Sequence, residues 1–494
     1  MKKAIIIGAG ISGLSIAARL LHKGFKVEIY EKNSLVGGQT SRLTFDKFNF
    51  DLTASILMIP KDYIEVFTYC NKNYKDYFTL TELPTHYRVF YNDGTSYDFS
   101  SNICELTKTI EKITSTDIIS NHGFFKFLAS NYKKFLYCEK YFLNQSFYNK
   151  FNFFTPLKIS KLLSIYPFKS CYSDCKKYIS NEKLINYCMF QSMYIGSSPY
   201  SSSNIYNLVP AVTQYRGLYY IKGGIYSYIK ALEKLVYDLG GIIKTSTPVE
   251  KILFNKDTAI GIKVNDKSIY SDLVICSCDY SYSICNLIPS NKLSNNSKVI
   301  KKFEYSCSTF ILYLALDKKY PTLNIHNIYI NNKNFKTNLE APFKGKFPAN
   351  PSLYIYCPSS IDSSLCPSNC ETINIILRVP NLISNKIIWD RHTINKVENK
   401  ILNILCGING LEDIKSHIIH KEVLTPNNFK EDFNNSNGCA FGLSHSLNQS
   451  LIFRPQYKLP KLKGIYFTGS SIHPGNGISM VLKSSRICAD NIDL

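Results

Sequence analysis

No stretch of about 20 residues in this 494-residue chain is apolar enough to cross a bilayer, so a membrane-spanning helix is not expected. C-x-x-C pairs are also missing. The 16 cysteines scatter from Cys70 to Cys488, and their closest spacings (Cys276/Cys278, Cys171/Cys175, Cys366/Cys370) suit no zinc site. Reduced thiols in a cytosolic protein, and no metal, are the expectation. Acidic residues are scarce, 37 against 58 Lys and Arg, for a net charge of +21. Such a surplus points to nucleic acid, to an anionic membrane surface, or to a solvated lysine-rich coat. With no zinc finger, RNA-binding signature or basic run of five residues, nucleic acid is the least expected of the three. No catalytic triad or carboxylate pair stands out, and oligomeric state is not legible.

The opening "MKKAIIIGAGISGLSIAARLLHKGFKVEIYEK" has two lysines before an apolar run, as a secretory leader would. Glycines at 8, 10 and 13 and the charge of Arg19 interrupt that run, and no cleavage site follows. The spacing predicts strand, tight turn, helix, strand. Ala4–Ile7 is a short apolar run, and Ile11, Leu14, Ala18 and Leu21 recur at helical spacing. Gly24 sits at the helix end, and the second strand closes at Glu31. In a dinucleotide crease Gly8 permits the turn, Gly10 lets backbone approach a pyrophosphate, and Gly13 lets helix pack on strand. Ala9 and Ser12 lie within the same turn, whose helix N-terminus offers free amides to phosphate. Glu31, with Lys32 beside it, stands where the ribose hydroxyls are held.

Chain length implies two or more domains, and 45% apolar content is ample for their cores. Gly37-Gly38, followed by Gln39, allows a second close backbone approach, suited to an extended flavin dinucleotide. A second G-x-G-x-x-G is lacking, so one bound dinucleotide carries the redox work. Residues 225–277 read as a helix to about Leu239 and strands near 242–245, 249–254, 258–264 and 268–277. "GIYFTGSSIHPGNGISMVLKSSRICADNI" reads as strand, glycine turn and closing helix. There Gly469 approaches the ribityl–phosphate chain, and the helix N-terminus near Ile478 and Ser479 faces the flavin ring. The expected fold is α/β, a Rossmann-like FAD-binding domain with an inserted α+β substrate domain. Residues 1–80, 205–290 and 425–494 form the first; 81–204 and 291–424 form a substrate- and membrane-facing second.

"EKNSLVGGQ", "YRGLYYIKGGIY", "PSLYIYCPSSIDSSLCP", "TPNNFKEDF", "GCAFGLSHSLNQS", "FRPQYK" and "FTGSSIHPGNGI" occur in this order over nearly the whole chain. In these motifs the sequence resembles bacterial phytoene-desaturase-type carotenoid desaturases, most closely the dehydrosqualene (diapophytoene) desaturases. That resemblance implies an FAD enzyme that removes hydrogens from an acyclic polyene, phytoene or 4,4'-diapophytoene, while held peripherally on the cell membrane. It places Gly8, Gly10, Gly13, Glu31 and Gly38 on the dinucleotide, Val249 on the adenine, and Gly469, Ser470, Gly477 and Ile478 at the flavin. Three departures stand out: Gln39 replaces an arginine, Thr53-Ala54 in "FDLTAS" replaces Gly-Pro, and Ser479 replaces a common proline. A same-family oxidase or isomerase, or a catalytically impaired lipid-binding flavoprotein, remains the alternative.

In such chemistry an allylic CH₂ yields a hydride and its neighbour a proton, so the protein mainly positions the chain and excludes water. Two weak catalytic candidates arise. His473 is either a catalytic group beside the flavin or a turn histidine that fixes its loop. Asp51 either accepts a proton or orients the polyene, or else serves a turn. Arg454, His326 and Asn327 read as structural. Residues 124–154 hold 13 Phe or Tyr among 31, with five lysines and one acid. Phe124, Leu128, Phe135, Cys138 and Phe142 share a helical face. This stripe is either core or an interfacial helix that admits lipid-borne substrate.

Overall fold

The computed structural model describes residues 1–293, 300–384 and 386–493. The opening apolar run is the central strand of a five-stranded parallel sheet. Lys3–Ile7 lies between Lys26–Tyr30 and Leu273–Cys276, with Ile242–Lys244 and Ile465–Phe467 at the edges. Both of its faces are covered, which is why the strand is continuously apolar; Ala4, Ile5 and Ile6 expose nothing. Helix Ile11–His22 starts at Gly10 and packs on helices Ile225–Asp238 and Ile478–Asp490. Gly24, at φ +92°, donates to Leu21 O and ends it. Three separated pieces of chain thus build one α/β layer.

The strand expected over 268–277 divides in two. Lys267–Tyr270 completes an antiparallel sheet with Lys251–Asn255 and Thr258–Val264, whereas Leu273–Cys276 enters the parallel sheet. The break is held from outside the segment: the Asp272 carboxylate accepts from Lys3 N at 2.7 Å, and Asp272 N donates to Lys3 O at 2.9 Å.

A seven-stranded sheet forms the second layer. Its order is Ile418–Leu424, Ser308–Leu316, Glu371–Val379, Leu353–Tyr356, His326–Ile330, Thr85–Tyr91 and Ser96–Ser100. Alternation sorts its two faces. Phe310, Leu312, Leu314, Ile373, Ile375 and Leu377 share a core with helix Arg391–Cys406. Thr309, Ile311 and Tyr313, paired with Arg378, Ile376 and Asn374, look the other way, toward a helical cap.

That cap spans residues 103–216, and its helices begin at polar N-caps. Asn102 accepts from Cys104 N and Glu105 N, Asp117 from Ser120 N, and Thr155 from Lys158 N. Helix Leu208–Arg216 packs on helix Ile118–Cys138, so residues 205–216 lie with the cap. The stripe weighed as an interfacial helix is buried. Phe124 and Leu128 sit in the cap core, and Phe135, Cys138 and Phe142 are also covered. An apolar stripe serves a membrane or a neighbouring helix equally well, and here the same chain covers it first. Among the described residues no helix is long and apolar enough to cross a membrane.

Candidate active site

A cavity of about 560 Å³ runs between the two layers, polar at one end and apolar at the other. Its polar end is made by two glycine loops lying side by side. Gly8, at φ +100°, donates to Tyr30 O at 2.8 Å; Gly37 donates to Ala9 O at 2.9 Å. Glu31 is buried, and its carboxylate accepts from Ala9 N at 2.8 Å and Asn33 N at 2.9 Å. Those amides aim the carboxylate along the groove and leave lone pairs for a diol. Gly8, Gly10, Ser12, Glu31, Lys32, Gly38, Gln39 and Val249 line the cavity. Ala9 and Gly13 do not: Ala9's amide is engaged with Glu31, and Gly13 lies beneath the loop against Gly8. Lys32 reaches across instead, donating to Glu431 O at 2.7 Å and Asn434 Oδ1 at 3.1 Å. It holds segment 431–435 over the groove.

The carboxyl-terminal turn closes the polar end. An added Cβ at Gly469 would stand 3.6 Å from Ser277 O and 3.7 Å from Ser12 Oγ, so all three pieces of the α/β layer meet there. Gly469, Ser470, Gly477 and Ile478 all line the cavity, and Gly477 is the N-cap of helix Ile478–Asp490. The first amides of that helix have no partner within it and present partial positive charge to the cavity. Ser470 O and Leu443 O accept from the buried Arg454 guanidinium at 2.8 and 3.3 Å, and Ser444 O accepts at 3.1 Å. Arg454 is a loop anchor working through carbonyls rather than an ion pair.

Farther in, the walls become apolar: Met58, Ile59, Phe135, Leu208 and Val212 on one side, Ile311 and Ile376 on the sheet side. The flavin end and this chamber belong to one cavity, which Thr53, Ala54 and Ser55 also line.

The two catalytic candidates lie off the cavity wall. Asp51 is buried and accepts from Ile225 N and Tyr226 N, both at 3.0 Å, and from Tyr356 Oη at 3.2 Å. It caps helix Ile225–Asp238, where Gly224 precludes a side-chain cap of its own. Burial lifts its pKa above the ordinary carboxylate value despite those amides and Arg42. His473 Nε2 lies 3.1 Å from both Phe142 O and Gln145 O, so it must carry the proton and donate. It ties the glycine turn to the cap, and burial pulls its pKa down to about 4. Unfolded histidine protonates near 6.5, so stability from this group is complete above pH 6.5. It falls as pH drops toward 4, by up to ~1.4 kcal/mol per pH unit. His473→Gln should flatten the pH dependence of urea unfolding between those limits by one proton.

A family model for flavin-containing amine oxidoreductases matches residues 11–315. A 4,4'-diapophytoene desaturase (4,4'-diaponeurosporene-forming) of Staphylococcus haemolyticus is 34% identical over 98% of this chain and 97% of its own. Its counterpart from Staphylococcus aureus is 33% identical over 99% and 98%. The chain belongs to the flavin-containing amine oxidoreductases, among the carotenoid desaturases. Solved structures share the fold: an oxidoreductase from Methanosarcina mazei (16% identity, TM-score 0.67, 99% and 100% coverage) and a putrescine oxidase bound to putrescine (12%, 0.65, 99% and 98%).

The groove of this desaturase fits FAD. Beside Gly10 an added Cβ would meet only Gly37 O, at 3.9 Å, and beside Gly477 nothing within 4 Å, so open space runs along both glycine turns. Two of the family departures are bonded to each other. Thr53 Oγ1 donates to Gln39 O at 2.8 Å, and Gln39 Nε2 donates to Asn435 Oδ1 at 3.1 Å. The branch at Thr53 thus pins the second glycine loop rather than merely crowding it. Ser479 donates to Met58 O at 3.0 Å, fixing the start of the final helix. What sequence reasoning missed is the chamber's sheet wall, whose only signal is the alternation in "STFILYLAL" and "ETINIILRV".

Proposed function

We propose that this protein is an FAD-dependent desaturase that removes hydrogens from an acyclic carotenoid precursor, 4,4'-diapophytoene or phytoene, and so extends its conjugation. The observation that carries this reading is the continuity of the dinucleotide groove with an apolar chamber. Bound FAD supplies a two-electron oxidant, and the chain's residues do the rest. Met58, Ile59, Phe135, Val212, Ile311 and Ile376 offer a hydrocarbon a dry wall, exclude water and align it past Thr53–Ser55. His473 and Asp51 are occupied structurally, so neither of these two side chains has to act as a base toward the hydrocarbon. Expression in a bacterium engineered to accumulate 4,4'-diapophytoene or phytoene should yield coloured extracts with a red-shifted series of bands. Colourless extracts with both precursors, alongside FAD-loaded soluble protein, would favour the lipid-binding alternative.

The protein works, on this reading, from the cytoplasmic face of the membrane. Support comes from segment 150–169, just beyond the buried stripe. Phe151, Phe154, Leu157, Leu163, Tyr166 and Phe168 are exposed there, each by more than half. Lys150, Lys158, Lys161 and Lys169 lie among them, and Leu162 and Pro167 reach the cavity wall. An exposed apolar patch rimmed by lysine suits an anionic leaflet, where each lysine contributes ~1 kcal/mol. Leu157→Asp with Leu163→Asp should weaken co-sedimentation with phosphatidylglycerol vesicles about tenfold or more, leaving flavin content unchanged. Undiminished sedimentation of that variant would move the docking surface elsewhere.

A further inference from the structure

On strand Glu371–Val379 the residues facing the cap run Asn374, Ile376, Arg378, so an arginine stands where the chamber wall calls for another aliphatic side chain. Its Nε donates to Met193 O at 3.1 Å, and its guanidinium carbon lies 4.7 Å above the centre of the Phe441 ring. Among the described residues its terminal nitrogens meet no protein acceptor and no carboxylate pairs with it; the ionisable groups nearest it are Cys307, Tyr194 and Tyr354. Arg378 is one of the residues that line the cavity. Thr309, directly across the ladder, and Tyr194 also line the cavity; the Thr309 hydroxyl is buried without a partner, and the Tyr194 hydroxyl has only the Tyr87 hydroxyl as a neighbour, outside hydrogen-bond geometry. Tyr354, by contrast, is engaged, its hydroxyl 2.9 Å from Ser55 Oγ and 2.7 Å from His326 Nδ1.

A half-buried cation with free donors in an apolar wall, beside two unused hydroxyls, is costly to fold, and a hydrocarbon offers it nothing in return. An oxygen-bearing ligand does. We propose that this end of the cavity receives the carbonyl or carboxylate terminus of an otherwise apolar conjugated chain, a polyene already oxidised at one end, with Arg378 as its principal donor. The planar guanidinium, held in orientation by Met193 O and the Phe441 ring, matches a carboxylate fork to fork, and Thr309 and Tyr194 complete the donor set. The inference rests on reading the chamber as a polyene site, and it extends the accepted ligands from hydrocarbons to their end-oxidised counterparts.

The test titrates the FAD-loaded full chain with retinoate and with axerophthene, the hydrocarbon of the same carbon skeleton, following the flavin absorbance. Retinoate should bind about tenfold or more tighter. In Arg378→Met the two should come within about twofold, and Arg378→Lys should keep part of the preference. Flavin content and melting temperature are read on the same samples. Equal binding of the two probes to the wild-type chain overturns the proposal whether or not a variant folds, and so does an unchanged preference in folded, flavin-loaded Arg378→Met. Neither result touches the desaturation assay. Colourless extracts from that assay beside an intact retinoate preference would fall on the function reading alone.

Discussion

Gly10→Val is expected to give a folded chain that retains no flavin, whereas Gly13→Val is expected not to fold. The two glycines sit three residues apart in one motif, yet their surroundings differ in kind. Gly10 has an ordinary backbone angle, φ −72°, and a Cβ there would find only Gly37 O, at 3.9 Å. Protein atoms therefore tolerate a side chain, which projects into the space between the two glycine loops. That is the space a pyrophosphate needs to reach the amides of helix Ile11–His22. A loss of about a hundredfold or more in FAD affinity follows, ~2.7 kcal/mol, read as visible flavin absorbance per protein with the circular dichroism spectrum unchanged. At Gly13 the Cβ would stand 2.0 Å from Gly8 O and 2.6 Å from Ser277 Oγ. Backbone cannot rotate away as a side chain can, so the helix must lift off the central strand at a cost of roughly 3 kcal/mol or more. Flavin-loaded Gly10→Val would show that the phosphates do not rest on these amides.

Readability of the sequence follows the range of the contacts involved. The first 31 residues are legible because strand, turn, helix and acid bond to one another within that span: Gly8 to Tyr30, and Ala9 to Glu31. The split of 268–277 is illegible from inside, since Lys3 decides it across 269 residues of chain. Phe124, Leu128 and Phe135 illustrate a second limit. Their spacing states that a face will be buried but not against what: Phe99 and the rest of the cap core cover Phe124 and Leu128, and Val212 of helix Leu208–Arg216 meets Phe135 from some 75 residues away. The chamber needs a strand from each of 308–316, 353–356 and 371–379 in one register, so Arg378 looks like an ordinary strand residue until Thr309 is opposite it. Gln39 and Thr53 look like two unrelated departures in sequence. Their hydrogen bond makes them one local adjustment of the second glycine loop.

Asp51 should produce the second large effect, and on stability rather than on chemistry. Its two oxygens take the first amides of helix Ile225–Asp238, and its backbone carbonyl accepts from Asn374 Nδ2 at 2.7 Å. One residue thereby fixes the α/β layer's second helix to the seven-stranded sheet. Asp51→Ala leaves three buried donors unpaired, the two amides and Tyr356 Oη, at ~1–3 kcal/mol each, so a loss of about 4 kcal/mol or more and a melting temperature lower by several degrees are expected. Asp51→Asn keeps one acceptor but points an amide donor at the other N–H, and should cost nearly as much. In Asp51→Asn that remains folded at low temperature, the rate per bound flavin should stay within about threefold of wild type, because the carboxylate is absent from the cavity wall. A fall of about a hundredfold in that rate with an unchanged melting temperature would return Asp51 to the chemistry, as a proton acceptor acting through Tyr356.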